Sequence, residues 1–455
     1  MSVLRDGLSA QTGCGVERAL SPSLAPMTDR LRHQPAHSAY AVIVTGLIFL
    51  LPVLTLNTKI GVGVIEVAVL IGILLSVNVL LREPRALLWP TRYIMGAFAF
   101  NLLVAVVSSL RTDFAWSFLD NPIKQVIAIL IIVLIVRAKP KADWLWYGLF
   151  IGAISTGIVA IYQRFVLHLL RAEGVHMPIM FGDIAMAMAL MSLASTQRFN
   201  HTRWAAVPYL AFLGGLTGSL LSGSRGGWIA LVLCFIPLYN YGKKAMGRKA
   251  LLIAVTGISL LVAACFIPKL GVQQRFAEAA NDIRLYRSGD PVTSVGARFE
   301  MWKGALQLFA EHPVSGVGRA NFNQGLNDLI DRGKLSPTVS DFHHAHNEMF
   351  HALATQGIFG GLALLLLYLT PLMFFSRQLR VDGNHQPFAL AGLLLGLSFV
   401  DFGLTQVLFA HHVGSAFYAL MTGVLAGLCV MIRRDEEDVA RLHSVPANLT
   451  PAVSH

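Results

Sequence analysis

Three polar clusters interrupt a largely apolar chain, and they hold the residues that could do chemistry. The first is Asp341-Phe-His-His-Ala-His-Asn-Glu-Met-Phe-His351, running into Gly357-Ile-Phe-Gly360. A helix starting near His346 would set His346, Phe350, Leu353, Gly357 and Gly360 on one face, where the glycines admit a close neighbour. An imidazole titrates near neutral pH, so His346 is a candidate acid/base group, with Asn347 beside it. Zinc competes for so many histidines. However, His346 and His351 would point about 140° apart on one helix, and HExxH is absent, so no metal is expected. The second cluster is Ser222-Gly-Ser-Arg-Gly-Gly-Trp228. Its glycines permit close backbone approach, and its N–H groups with Arg225 and Ser224 could cradle an anion. The same composition also makes a plain hairpin with an arginine among headgroups. In the third, a helical wheel gathers Phe299, Trp302, Ala305, Leu306 and Phe309 opposite Glu300, Lys303, Gln307 and Glu311. Arg298 falls within the apolar sector, so it either snorkels to headgroups or points into a cavity beneath the helix. Arg164, with His168 and Arg171 on the same expected face, suits an anion or simple snorkelling. Asp401 stands in an apolar run, where a carboxylate is costly; it either acts directly or bonds to a neighbouring helix.

The remainder of the chain must position these groups. Of 455 residues, 55% are hydrophobic and only 13% charged, which excludes an ordinary soluble domain. A spanning helix needs about 20 mostly apolar residues. Candidate spans are 40–57, 60–81, 93–110, 123–136, 144–168, 178–195, 204–222, 226–241, 250–267, 352–376, 388–410 and 413–432. The expected fold is therefore an all-α polytopic membrane protein of about 12 transmembrane helices. Residues 1–39 form a cytoplasmic tail whose following apolar run is read as a retained anchor. Spans 1–9 occupy 40–267, and a long outer loop with amphipathic helices occupies 268–345. Spans 10–12 occupy 346–432, and a second cytoplasmic tail occupies 433–455. Lysine and arginine concentrate on alternate connections, which places both termini in the cytoplasm and the polar clusters on the far face. The net charge of +11 is thus mostly an orientation signal and does not imply nucleic acid. Cys14, Cys234, Cys265 and Cys429 are scattered, so neither a disulfide framework nor a zinc site is expected.

His346-Asn347, nine residues, then Gly357-x-x-Gly360 resembles the H-N-x9-G-x-x-G signature of bacterial O-antigen ligases. The Ser-Gly-Ser-Arg-Gly-Gly turn, and Arg298-x-x-x-Trp302 leading to His312-Pro313-x-x-Gly316-x-Gly318, are similar to motifs of the wider superfamily. That superfamily includes O-antigen polymerases and protein O-oligosaccharyltransferases. The resemblance implies a GT-C-like membrane glycosyltransferase at the periplasmic face of the bacterial inner membrane, using no metal and no cofactor. It would transfer a polysaccharide from undecaprenyl diphosphate to lipid A-core oligosaccharide, among membrane lipids. Arg225 and Arg298 would neutralise the leaving diphosphate, and His346 would take the acceptor's proton. A polymerase of the same superfamily shares nearly all these features. A polytopic transporter, the rival from another class, should show inverted-repeat symmetry, and none is visible.

Overall fold

The computed structural model describes residues 39–80, 89–112, 116–224, 226–246 and 272–443. Among them the regular structure is entirely helical, as a chain in hydrocarbon requires when every backbone polar group must be satisfied internally. The first half holds α1 (Ala39–Asn57), α2 (Gly61–Leu80), α3 (Arg92–Arg111), α4 (Ser117–Ile129) and α5 (Ile131–Ala138). It continues with α6 (Trp144–Ile161), α7 (Pro178–Leu193), α8 (Val207–Ser222) and α9 (Trp228–Met246). The long polar segment contributes α10 (Val272–Arg287), α11 (Ser294–Glu311) and α12 (Phe322–Asp331), and the chain continues with α13 (Glu348–Gln378), α14 (Gln386–Gly403) and α15 (His412–His443).

Among the described residues, seven stretches are long and apolar enough to cross a bilayer: Ala39–Asn57, Trp89–Arg111, Ser117–Ala138, Trp144–Val166, Glu348–Gln378, Gln386–Gly403 and His412–Arg441. Gly61–Leu75, α7 and α8 are apolar but shorter, and the expected span at 250–267 lies outside the described residues. α7 is apolar on every side and buried from Met180 to Ser192, the pattern of a central core helix. It packs against α6, α8 and α14. α6 and α8 cross closely because glycines meet: a Cβ on Gly157 would lie 2.7 Å from the Gly214 carbonyl oxygen.

A second, smaller core joins α11 and α12 to the start of α13. Met301, Leu308, Phe322, Leu326, Leu329, Val339 and Ala354 are among its buried members. In α12 the face of Phe322, Leu326 and Leu329 is the one that packs. In α11 the packed face differs from the wheel. It comprises Ala297, Glu300, Met301, Gly304, Ala305 and Leu308, whereas Leu306 is 45% exposed. Glu300 is buried because its carboxylate accepts from Tyr286 Oη at 2.8 Å and from Ser336 N at 2.9 Å. Phe299, Trp302 and Phe309 therefore flank the buried side, and Leu306 faces away from it.

Two span boundaries also shift. α14 stops at Gly403, and residues 404–411 are a loop with one 3₁₀ turn, Leu408–Ala410. α6 ends at Ile161 and passes through a π turn, Tyr162–Val166.

Candidate functional site

His346 is not on a helix. Asn347 caps α13, its side-chain oxygen accepting from Phe350 N at 3.0 Å, so the helix begins at Glu348. His346 instead occupies a left-handed turn with φ 46°, a conformation histidine adopts more readily than most residues and one often found at functional sites. The expected shared face with Gly357 and Gly360 is therefore absent. The turn places the His346 ring 4.3 Å from the His344 ring and 5.9 Å from Phe342, centroid to centroid. His344 in turn lies 5.9 Å from the His411 ring. His343 is exposed. His351 is buried, its ring 5.0 Å from that of Phe322. Among the described residues no three His, Cys, Asp or Glu side chains are grouped as metal ligands.

Burial, then His344 and Arg298, hold the His346 imidazole down to about 4, while a hydrogen bond with the Gln406 side chain works the other way. His411 is pushed down to about 4 by burial and by His344, and His344 is lowered chiefly by burial. All three are therefore neutral near pH 7. Arg298 joins this group because α11 is fastened to α13. Trp302, one turn beyond it, packs its ring 5.8 Å from that of Phe350. Arg298 is partly buried and acts electrostatically on His346.

Gly357 explains how the two glycine motifs cooperate. Its φ of 63° and ψ of −155° break the α13 ladder, a conformation essentially reserved for glycine. Segment 313–318 is grafted into the break. Val317 N donates to the Ala354 carbonyl at 2.9 Å, Gly318 N to Thr355 at 2.8 Å, and Ile358 N to Pro313 at 2.9 Å. A Cβ on Gly357 would lie 2.3 Å from the Val314 carbonyl oxygen. The turn after α11 and the glycine of the His-Asn-x9-Gly pattern are two halves of one joint. Just beyond it, Arg319 reaches back to Gln356 Oε1 at 3.3 Å.

Arg225 lies outside the described residues, but its neighbours are placed. Ser224 is buried, donates to Asp183 Oδ1 at 2.5 Å, and its N–H is taken by Ser222 Oγ at 3.1 Å. Gly223 N donates to Leu220 O. The N–H groups of 223 and 224 are thus used within the turn, contrary to the expected cradle. Asp401 is fully buried and Oδ2 accepts from Ala230 N at 2.7 Å; it caps the first turn of α9 from a neighbouring helix. Arg164 donates to the Leu169 carbonyl, His168 has φ 54°, and Arg171 Nε donates to Ser222 O at 2.7 Å. The three do not share a helical face, because α6 has already ended. Arg171 instead meets the glycine turn.

Sequence reasoning missed Gln406, His411 and Asp183. The first and second were hidden by reading 388–410 as one span, although Thr405-Gln406 and His411-His412 mark polar breaks. Asp183 is a carboxylate in an apolar run, the signal that drew attention to Asp401.

Residues 210–365 match the O-antigen ligase family model, a region containing Arg225, Arg298 and His346. An uncharacterised protein of Haemophilus influenzae is 29% identical over 307 residues, covering 66% of this chain and 77% of that protein. An O-antigen ligase of Escherichia coli K12 is 29% identical over 182 residues, covering 40% of each.

Proposed function

Because the resemblance to O-antigen ligases holds over the region that carries the histidine, we propose that this protein is an O-antigen ligase. It transfers O-antigen polysaccharide from undecaprenyl diphosphate to lipid A-core oligosaccharide at the periplasmic face of the inner membrane. In this reading the chain has about 12 spans, both termini cytoplasmic and a GT-C-like architecture. Charge asymmetry between connections supports that orientation. The observation that supports the mechanism is the left-handed His346 turn at the start of α13, with the helix that carries Arg298 packed against it through Trp302 and Phe350.

His346 accepts the acceptor hydroxyl's proton as the oxygen attacks the anomeric carbon of the donor. Arg298, together with Arg225, balances charge on the departing diphosphate, so no metal is required. An imidazole near 4 is a weak base. A diphosphate arriving within a few ångströms favours the imidazolium and lifts the ring towards the working pH, where general-base catalysis is most effective. The base is then strengthened once the donor is in place.

A strain lacking this protein should accumulate lipid-linked polymer and leave lipid A-core unmodified. The wild-type chain should restore transfer and His346→Ala should not, at equal membrane levels. Loss of polymer length with lipid A-core still modified would assign the protein to polymerisation instead.

A further inference from the structure

We infer that residues 401–410 are a brace that fixes the spacing between the glycine turn and the histidine turn, with Thr405 as its positioning residue. The inference rests on the ligase reading above and names the part that holds both turns to one substrate. On one side, Asp401 Oδ2 accepts from Ala230 N at 2.7 Å. Gly226 lies so close to Thr405 that a Cβ there would come within 2.2 Å of Thr405 Oγ1. On the other side, Asn347 Nδ2 donates to Leu404 O at 3.1 Å, and Glu348 Oε2 accepts from Phe409 N at 3.2 Å. Leu404 and Thr405, neighbours in sequence, thus touch one turn each.

The brace is itself held. It begins in the last, buried turn of α14, and Asn121 of α4 donates to the Phe409 and Ala410 carbonyls at 3.2 and 2.8 Å. Thr405 N donates to Phe402 O at 3.1 Å, and Thr405 Oγ1 to the same carbonyl at 3.4 Å. A β-branched side chain is stiff at χ1, so the hydroxyl does not swing aside freely. Other elements grip the glycine turn as well. Ser224 Oγ donates to Asp183 Oδ1 at 2.5 Å, and Arg171 Nε to Ser222 O at 2.7 Å. A Cβ on Gly182 would lie 2.1 Å from Ser222 Oγ. The turn is therefore confined by α7 as well as by the brace.

In the ligase reading the glycine turn serves the donor's diphosphate and the histidine turn serves the acceptor's hydroxyl. Rate depends steeply on such spacing, and a displacement of about 1 Å can cost on the order of 10²-fold. A methyl group on Gly226 imposes a displacement of that size. Thr405 Oγ1, at 2.2 Å, must retreat by roughly 1 Å or more to reach an ordinary contact. The push falls on that oxygen alone, because Thr405 Cβ and Cγ2 lie at 3.4 and 3.8 Å from the same point. Gly226 does not have a positive φ, so alanine brings no backbone strain of its own.

The experiment is a double-mutant cycle of Gly226→Ala, Thr405→Ala and the pair, in purified full-length protein. Transfer is measured with a polyprenyl-diphosphate-linked saccharide and lipid A-core, well below the thermal midpoint, which is recorded for each protein. Gly226→Ala should lower kcat by about 10- to 100-fold, with both KM values within a few-fold of wild type and the midpoint lower by a few degrees. Thr405→Ala should cost only a few-fold. The pair, which lacks the clashing oxygen, should recover to the level of Thr405→Ala, a coupling that independent sites do not show. A merely structural contact would move the midpoint and leave kcat alone, so wild-type kcat in Gly226→Ala overturns the inference. A pair no better than Gly226→Ala also overturns it. If Gly226→Ala does not accumulate, the pair should, and failure of both counts against the brace. Wild-type protein that transfers nothing to lipid A-core removes the ligase reading instead. The midpoints of the four proteins then decide on the brace, with additive losses overturning it.

Discussion

Replacing Gly357 by alanine tests the joint between the long polar segment and α13. A side chain at φ 63°, ψ −155° costs on the order of 1–3 kcal/mol in backbone strain. The new Cβ would also lie 2.3 Å from the Val314 carbonyl oxygen and 2.7 Å from Ser315 N, atoms of backbone that cannot swing aside. Straightening α13 relieves the strain but expels segment 313–318. The bonds from Val317, Gly318 and Ile358 are then lost, at about 1 kcal/mol each. Either route costs roughly 3 kcal/mol, the first through strain and clash and the second through lost bonds, a large fraction of the stability of a typical domain. The assay is thermal unfolding of detergent-solubilised protein with limited proteolysis and transfer activity. The midpoint should fall by several degrees, segment 312–321 should become cleavable, and transfer should collapse because α11 no longer holds Arg298 in place. Gly316→Ala, whose Cβ would lie 2.3 Å from Thr355 C, should give the same phenotype. Gly96→Ala in α3, where nothing lies within 4 Å, should be neutral or slightly stabilising. Wild-type midpoint, cleavage pattern and activity in Gly357→Ala would refute the joint.

Arg298→Lys should raise the donor KM by about tenfold or more, since an ammonium lacks the planar fork; donor titrations at equal protein levels measure this. Asp401→Asn should keep most activity, because the amide oxygen still accepts from Ala230 N, whereas Asp401→Leu should cost roughly 1–2 kcal/mol of stability through the lost cap. An inactive Asn variant with an unchanged thermal midpoint would move Asp401 into the chemistry. His344, His346 and His411 all lie below their ordinary value of 6.5 in the folded protein, the last two at about 4. Their contribution to stability is complete above pH 6.5 and drains away as pH falls towards 4. The thermal midpoint should decline across that window, and less steeply in His411→Gln.

The chemistry was legible because its residue types stand out in an apolar chain. His346 and Arg298 were singled out as base and diphosphate ligand; the helix that carries Arg298 packs on the start of α13 through Trp302 and Phe350. Secondary-structure type followed from hydropathy with little ambiguity. Register was harder to read, since it turned on single residues. Asn347 followed by Glu348 is an N-cap signal that starts α13 two residues later than assumed. That small shift removes His346 from the helix and cancels the expected common face. The α11 wheel failed for another reason: bulk was taken for burial, whereas Ala297, Gly304 and Ala305 pack because they are small. Gln406 could not be found by periodicity at all. It stands in a loop that Asn347 and Glu348 tie to the start of α13 across 57 and 61 positions of sequence.

The break at Gly357 also bears on how the protein is assembled. α13 has 31 residues, about 46 Å at the usual rise, against a hydrocarbon core of about 30 Å. Its part before the break is satisfied by segment 313–318, which leaves the ribosome first. Were α13 to be seated before that segment had folded, the carbonyls of Ala354 and Thr355 would be left without these partners, at several kilocalories per group in hydrocarbon. The order of synthesis and the order of completion therefore agree. Folding of segment 313–318 precedes and permits the final seating of α13, and a delay in it would stall the histidine turn in an unfinished state.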